Sequence, residues 1–106
     1  MPLPSLTPEQ RQEALDKANA VRHERAELKD QLKKGGTTLD SVLRDAEDDI
    51  VVDRMRVAAV LESLPGVGKV RAQQIMARLE IDPRRRVRGL GARQRAALLT
   101  EFSNEE

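Results

Sequence analysis

The sequence predicts an all-α fold: a long N-terminal helix followed by a compact helical unit that contains two helices joined by a glycine turn. Three observations carry this expectation. Apolar residues recur at helical spacing through most of the chain. Helix-capping and helix-breaking residues punctuate it at intervals that suit short helices. The one β-branched cluster, Ile50-Val51-Val52, is too short to build a sheet.

The first helix has a clear start. Thr7 suits an N-cap, Pro8 suits the first helical position, and Gln10 completes a capping box. The helix is expected to run to about Lys34, where Gly35-Gly36 stop it. Its apolar stripe, Leu15, Ala18, Val21, Leu28 and Leu32, is thin for its length, so part of it should extend into solvent. A second helix is expected after the N-cap Thr38, carrying Leu39, Val42, Leu43 and Ala46. Glu47-Asp48-Asp49 reads as an acidic connector. A third helix is expected from about Met55 to Leu64 and a fourth from about Lys69 to Leu79. Pro83 opens a short turn or helix through Val87, and Gly89 and Gly91 bracket a tight connection. A last helix, roughly Ala92 to Phe102, should bury Leu98, Leu99 and Phe102, with a fraying tail at 103–106. This reading divides the chain into an arm, 1–36, and a compact helical unit, 37–106, with the hairpin at 57–79 and a basic turn at 83–91.

Composition narrows the class. Phe102 is the one aromatic residue, so the core must be built from Leu, Val, Ile, Met and Ala. A 106-residue chain buries a limited share of its surface, which implies modest stability. There is no Cys, hence no disulfide and no thiolate metal site. No apolar run approaches the roughly 20 residues that span a membrane. Residues 1–6 lack the basic and apolar regions of a signal peptide. A cytoplasmic protein is therefore expected.

The net charge of +1 conceals a strong asymmetry. Residues 1–53 carry 8 Lys/Arg against 12 Asp/Glu, a net of −4. Residues 54–95 carry 11 against 3, a net of +8. A block of that density is the electrostatic footprint of a polyanion partner. On the first helix, Arg11, Arg22, Arg25, Lys29 and Lys33 fall at offsets of 11, 3, 4 and 4, along one side. Ordinary i,i+4 pairing explains Glu13–Lys17 and Asp30–Lys34. Arg22, Arg25 and Lys29 have no acid four residues before them. They are read as a second DNA-contact face.

The most informative segment is Leu64-Pro65-Gly66-Val67-Gly68-Lys69-Val70-Arg71-Ala72. Pro65 ends one helix. Gly66 and Gly68 are expected to adopt torsions that other residues resist and to bare the amides that open the next helix. Those amides, with the positive end of the helix dipole, make an anion site flanked by Lys69 and Arg71. The pattern resembles the helix-two-turn-helix, or helix-hairpin-helix, element. That resemblance implies binding to phosphates across the minor groove without base reading. A P-loop is excluded, since Gly-x-x-x-x-Gly-Lys-Ser/Thr is absent. The second signal is Asp82-Pro83-Arg84-Arg85-Arg86-Val87-Arg88-Gly89, whose arginines suit bidentate phosphate contacts and insertion into a narrow minor groove. Arg93 extends the basic set.

Together with Thr7-Pro8-Glu9-Gln10-Arg11 and Arg25-Ala26-Glu27-Leu28-Lys29, the run Arg86-Val87-Arg88-Gly89-Leu90-Gly91-Ala92-Arg93-Gln94 resembles the actinobacterial integration host factor family over nearly the whole chain. The resemblance implies a nucleoid-associated, architectural protein. Such a protein binds duplex DNA with little sequence preference and bends or compacts it, in support of site-specific recombination and chromosome organisation. The positions it carries over are Gly66, Gly68, Lys69 and Arg71 in the hairpin, and Arg85, Arg86 and Arg88 in the basic turn.

Catalysis has no visible machinery. His23, the single His, stands mid-helix among charges, Ser63 has no histidine partner, and no ligand set suggests a metal. No cofactor or small-molecule substrate is expected. Met1-Pro2 resembles the start of glycosylases that use an N-terminal proline amine, but Leu3 replaces their glutamate and the chain is too short for their catalytic domain. The alternative is a helix-two-turn-helix ribosomal, RNA-binding protein of the small-subunit S13 type. Such proteins carry long basic tails, whereas this chain ends in Glu105-Glu106. A protein adaptor using the long helix is a further alternative. No symmetric interface or heptad seam is evident, so a monomer is expected.

Overall fold

The computed structural model describes residues 6–103. The proposals for a signal-peptide-free start and a Met1-Pro2 amine, and all of the tail beyond Ser103, lie outside the described residues. Among the described residues six α-helices follow one another: α1 Pro8–Lys34, α2 Leu39–Asp45, α3 Ile50–Asp53, α4 Val57–Glu62, α5 Lys69–Arg78 and α6 Ala92–Ser103, with a 3-10 turn at Val87–Gly89. Among the described residues the β-structure is limited to an isolated antiparallel bridge between Arg56 and Arg86.

Local sequence explains most boundaries. Thr7 and Gln10 form the expected capping box, at 3.0 and 3.1 Å. Gly35, at φ +77°, ends α1 in the left-handed region, and the Gly36 N–H donates to the Gln31 carbonyl at 2.8 Å. Thr38 caps α2 through the Ser41 N–H. Glu47-Asp48-Asp49 is the expected connector, lying between α2 and α3, and its last residue also caps a single helical turn that the sequence did not reveal: the Asp49 carboxylate accepts from the Val51 N–H at 2.9 Å. Ile50-Val51-Val52, set aside as a stray β-branched cluster, forms that turn and buries Val52.

The C-terminus of α5 carries a second departure from propensity. Glu80 occupies the left-handed region at φ +57°, where glycine is preferred. The Ile81 N–H donates to the Met76 carbonyl (2.8 Å) and the Glu80 N–H to that of Ala77 (3.2 Å), the two bonds of a Schellman cap. The Gln94 side chain donates to the Glu80 carbonyl at 3.2 Å, tying this cap to α6.

The core is aliphatic throughout. Its fully buried members include Leu32, Val60, Leu61, Ala72, Met76, Val87 and Leu98, with Phe102 packed at its edge. α4 packs against α5, α2 against α6, and α3 against both α1 and the 3-10 turn. Ala72, completely buried, lets α4 and α5 approach closely. α1 contributes one buried side chain, Leu32, supported by the partly buried Leu28. Leu15 is 53% exposed, and the molecule measures 52 × 32 × 26 Å, so the N-terminal part of α1 projects beyond the core. The thin stripe read from the sequence has this meaning.

Candidate nucleic-acid interface

Two built features present cations to solvent. The first is the hairpin between α4 and α5. Gly66 sits at φ +75°, a left-handed conformation that an L side chain adopts only with strain. Gly68 corrects the expectation that both glycines need unusual torsions. At φ −91°, ψ −178° it is in extended backbone open to any residue, and a Cβ there would meet no atom within 4 Å. Gly68 is the N-cap of α5 and makes no side-chain cap bond, which leaves the first-turn amides of α5 facing outward beside exposed Lys69 and Val70. Arg71 stands on another flank of α5, lining a shallow depression with Gln74, Ile75, Arg78 and Glu101. Arg78 is ion-paired with Glu101 there.

The second feature is the basic turn. Asp82 initiates it: its carboxylate accepts from the Arg84 N–H at 2.8 Å, and its carbonyl from the Arg85 N–H at 2.9 Å. The turn is then bolted to the start of α4. The Val57 N–H donates to the Arg85 carbonyl and the Val87 N–H to the Met55 carbonyl, each at 2.9 Å. Val87 is buried, which anchors the turn in the core and sends its neighbours Arg86 and Arg88 outward. Arg85 folds back so that its Nη1 donates to the Gly89 carbonyl at 3.2 Å. A Cβ on Gly89 would meet the Arg85 Cδ at 2.9 Å, so the glycine makes room for this arginine. Arg84, Arg85, Arg86 and Arg88 line one open concavity.

Arg86 also lines a second groove, of about 220 Å³, together with Arg25 and Lys29 of α1, Arg54 and Arg56 from the α3–α4 junction, and Met55 and Ala59. Two of the five residues read as a separate face on α1, Arg25 and Lys29, therefore share a groove with the basic turn. Arg22 and Lys33 stand exposed on the flanking turns, and Arg11 lies about 21 Å from Arg25 along the axis, given 1.5 Å of rise per residue. Arg54 and Arg56 escaped the sequence reading. Their one signal was membership of the basic block, because nothing in their spacing reveals that the bridge sets Arg56 opposite Arg86. Arg93 is exposed on the first turn of α6 and lines neither the groove nor the concavity.

The other candidates fall elsewhere. His23 is exposed, and the Ser63 hydroxyl donates to the Ala59 carbonyl at 2.9 Å. Among the described residues, no group of three or more His, Cys, Asp or Glu is placed to hold a metal ion. No described helix is long and apolar enough to cross a membrane.

Comparison with known proteins agrees over the same residues. The S13-like H2TH domain family matches residues 32–102, from the end of α1 through α6. The integration host factor of Mycobacterium tuberculosis (strain ATCC 25618 / H37Rv) is 62% identical over 104 residues, covering 98% of this chain and 99% of the relative. That of Mycolicibacterium smegmatis (strain ATCC 700084 / mc(2)155) is 64% identical over 102 residues, 96% and 97% of the two chains. That of Streptomyces coelicolor (strain ATCC BAA-471 / A3(2) / M145) is 57% identical over 104 residues, 98% and 97%. Among solved structures, sIHF bound to an 8 bp palindromic DNA superposes with a TM-score of 0.80 at 55% identity, covering 82% of this chain and 98% of that one. With relatives this similar over almost its full length, the chain belongs to the integration host factor family of mycobacteria and Streptomyces, and residues 32–102 form its S13-like H2TH domain.

Proposed function

We propose that this protein is an architectural binder of duplex DNA that grips the phosphate backbone, not an enzyme, and that it acts as a monomer on the nucleoid in the cytoplasm. The observation that carries the reading is the continuous basic surface from Arg25 and Lys29 through Arg54, Arg56 and Arg86 to Arg84, Arg85 and Arg88. The DNA-bound relative of similar fold supports it. In this reading the unit 37–106 holds the duplex through the hairpin residues Gly66, Gly68, Lys69 and Arg71, the basic turn, and Arg93. The arm 1–36 contributes Arg25 and Lys29 to the same grip, while Arg11, Arg22 and Lys33 extend it along α1 toward a flank of bent DNA. Contact along two directions on one rigid body bends or compacts the duplex, in support of site-specific recombination and chromosome organisation.

The test is binding to a duplex DNA and to an A-form RNA duplex of equal length across a salt series. Six phosphate contacts give a log–log salt slope of roughly −5. A steep slope with preference for DNA is expected. Affinity nearly flat between low and physiological salt would remove the backbone grip, and preference for RNA would favour the ribosomal-type alternative.

A further inference from the structure

The groove between α1 and the α3–α4 junction is built differently from the rest of the basic surface. Five of its seven lining residues are cations, Arg25, Lys29, Arg54, Arg56 and Arg86, and no carboxylate of the described residues lines it. Several basic side chains elsewhere have an acid within reach: Lys34 pairs with Asp30 at 2.8 Å, Arg44 with Asp40 at 2.9 Å, and Arg95 with Glu47 at 3.2 Å. Arg25 goes further: its Nε is buried and has no hydrogen-bond partner among the described residues. A buried donor without a partner is costly unless something accepts from it. Arg56 and Arg86 are also held opposite one another by backbone bonds, and like charges directly opposite are unfavourable. The fold thus concentrates repulsion and an unsatisfied donor at one place.

Size and chemistry define what relieves this. At about 220 Å³ the groove is smaller than the pockets of roughly 300–1,000 Å³ that hold drug-sized ligands. Guanidinium forks match the paired oxygens of a phosphate, and four of the five cations are arginines. We propose that this groove is a discrete phosphate pocket, separate from the α5 hairpin, that binds a compact phosphate group through its paired oxygens. Two sources supply that chemistry: a phosphate of a bound duplex, which rests on the function proposed above, and a free polyphosphate anion, which does not.

Calorimetric titration of the full-length, DNA-free protein with inorganic pyrophosphate tests the pocket directly, with sodium sulfate at matched ionic strength as control. Saturable binding of one pyrophosphate per chain is expected, at least tenfold tighter than sulfate. The Arg54→Gln/Arg56→Gln variant should bind at least tenfold more weakly with unchanged helical circular dichroism, both side chains being exposed. Lys17→Gln, exposed on α1 away from the groove, should bind as the parent does. A second arm measures duplex affinity of the Arg54→Gln/Arg56→Gln variant. A weakened duplex complex with a shallower salt slope identifies the backbone as the occupant. Unchanged duplex affinity with lost pyrophosphate binding identifies the free anion. Steep salt-dependent duplex binding without saturable pyrophosphate binding overturns the pocket and leaves the proposed function standing. Pyrophosphate binding that survives Arg54→Gln/Arg56→Gln also overturns it.

Discussion

Arg56 and Arg86 face each other across an antiparallel backbone bridge, held by the Val57–Arg85 and Val87–Met55 hydrogen bonds at 2.9 Å. In this pattern the two residues form the non-hydrogen-bonded pair, whose side chains leave on the same face about 4.5 Å apart at Cα. A flexible arginine loop thereby becomes a fixed one. Ordering one residue's backbone costs on the order of 1–2 kcal/mol, and the fold meets that backbone part of the cost before any ligand arrives. Arg86→Lys and Arg88→Lys preserve charge and lose the fork. Each should weaken duplex binding several-fold in fluorescence anisotropy, and the triple alanine variant of Arg85, Arg86 and Arg88 should lose detectable binding while keeping its helical circular dichroism. Lysine variants that bind as the parent does would mean the turn supplies charge alone.

The two hairpin glycines should separate stability from binding. Gly66→Ala forces a side chain into φ +75° and should cost about 1 kcal/mol, lowering Tm by roughly 4–8 °C. Gly68→Ser meets open space and an extended backbone, and its hydroxyl can cap the first-turn amides of α5. Tm should hold or rise slightly, while duplex affinity falls because the amides now have a partner. Lys69→Ala should bring the salt slope about one unit closer to zero on any duplex sequence. Undiminished binding by Gly68→Ser would exclude the amides from the contact.

Glu80 holds a left-handed conformation that costs a non-glycine residue roughly 1–2 kcal/mol. Its side chain is exposed, so Glu80→Gly sacrifices little packing. The variant should melt several degrees higher in differential scanning calorimetry. A lower Tm would show that the Glu80 side chain contributes more than its backbone strain removes.

Leu32 is the one side chain of α1 that the core completely buries. Leu32→Ala should cost about 2–5 kcal/mol through lost transfer energy and an unfilled cavity. Hydrogen exchange should quicken first in the C-terminal half of α1 and in α3, which packs against it. An equally large loss from Leu15→Ala, at 53% exposed, would contradict the assignment of the docked end.

The pH dependence of this contact follows from Glu24. A hydrogen bond with the Asp49 side chain, then burial, then the charges of Asp49 and Glu27, hold its carboxyl above the usual 4.5. The folded state therefore keeps the proton more tightly than the unfolded chain. The associated stability is fully present below pH 4.5 and is lost as pH rises through the raised value. Glu24 is exposed, so the effect is small. Glu24→Gln should gain on the parent in Tm at pH 7 and lose that gain at pH 4. A difference independent of pH would show that the two carboxyls do not share a proton.

Local chemistry alone determined a good part of this protein. Thr7, Gln10, Gly35 and Thr38 set helix ends through bonds to residues three or four positions away, and Pro8 through its fixed torsion at the first helical position, so their effect is written in adjacent letters. The aliphatic core and the concentration of charge in 54–95 were likewise legible, being sums over composition. Other features depended on partners distant in sequence. Asp49 as a cap, and Ile50-Val51-Val52 as a helical turn, depend on packing against α1 and the 3-10 turn. Glu80 tolerates its strained torsion inside a cap that Gln94 ties to α6. The groove joining Arg25 and Lys29 to Arg54, Arg56 and Arg86 exists because two backbone hydrogen bonds join residues about thirty positions apart while Leu32 docks α1 alongside. Charge on a chain is additive and can be counted from letters, but the concentration of charge in one place is a distance, and distances between remote residues are set by the tertiary fold.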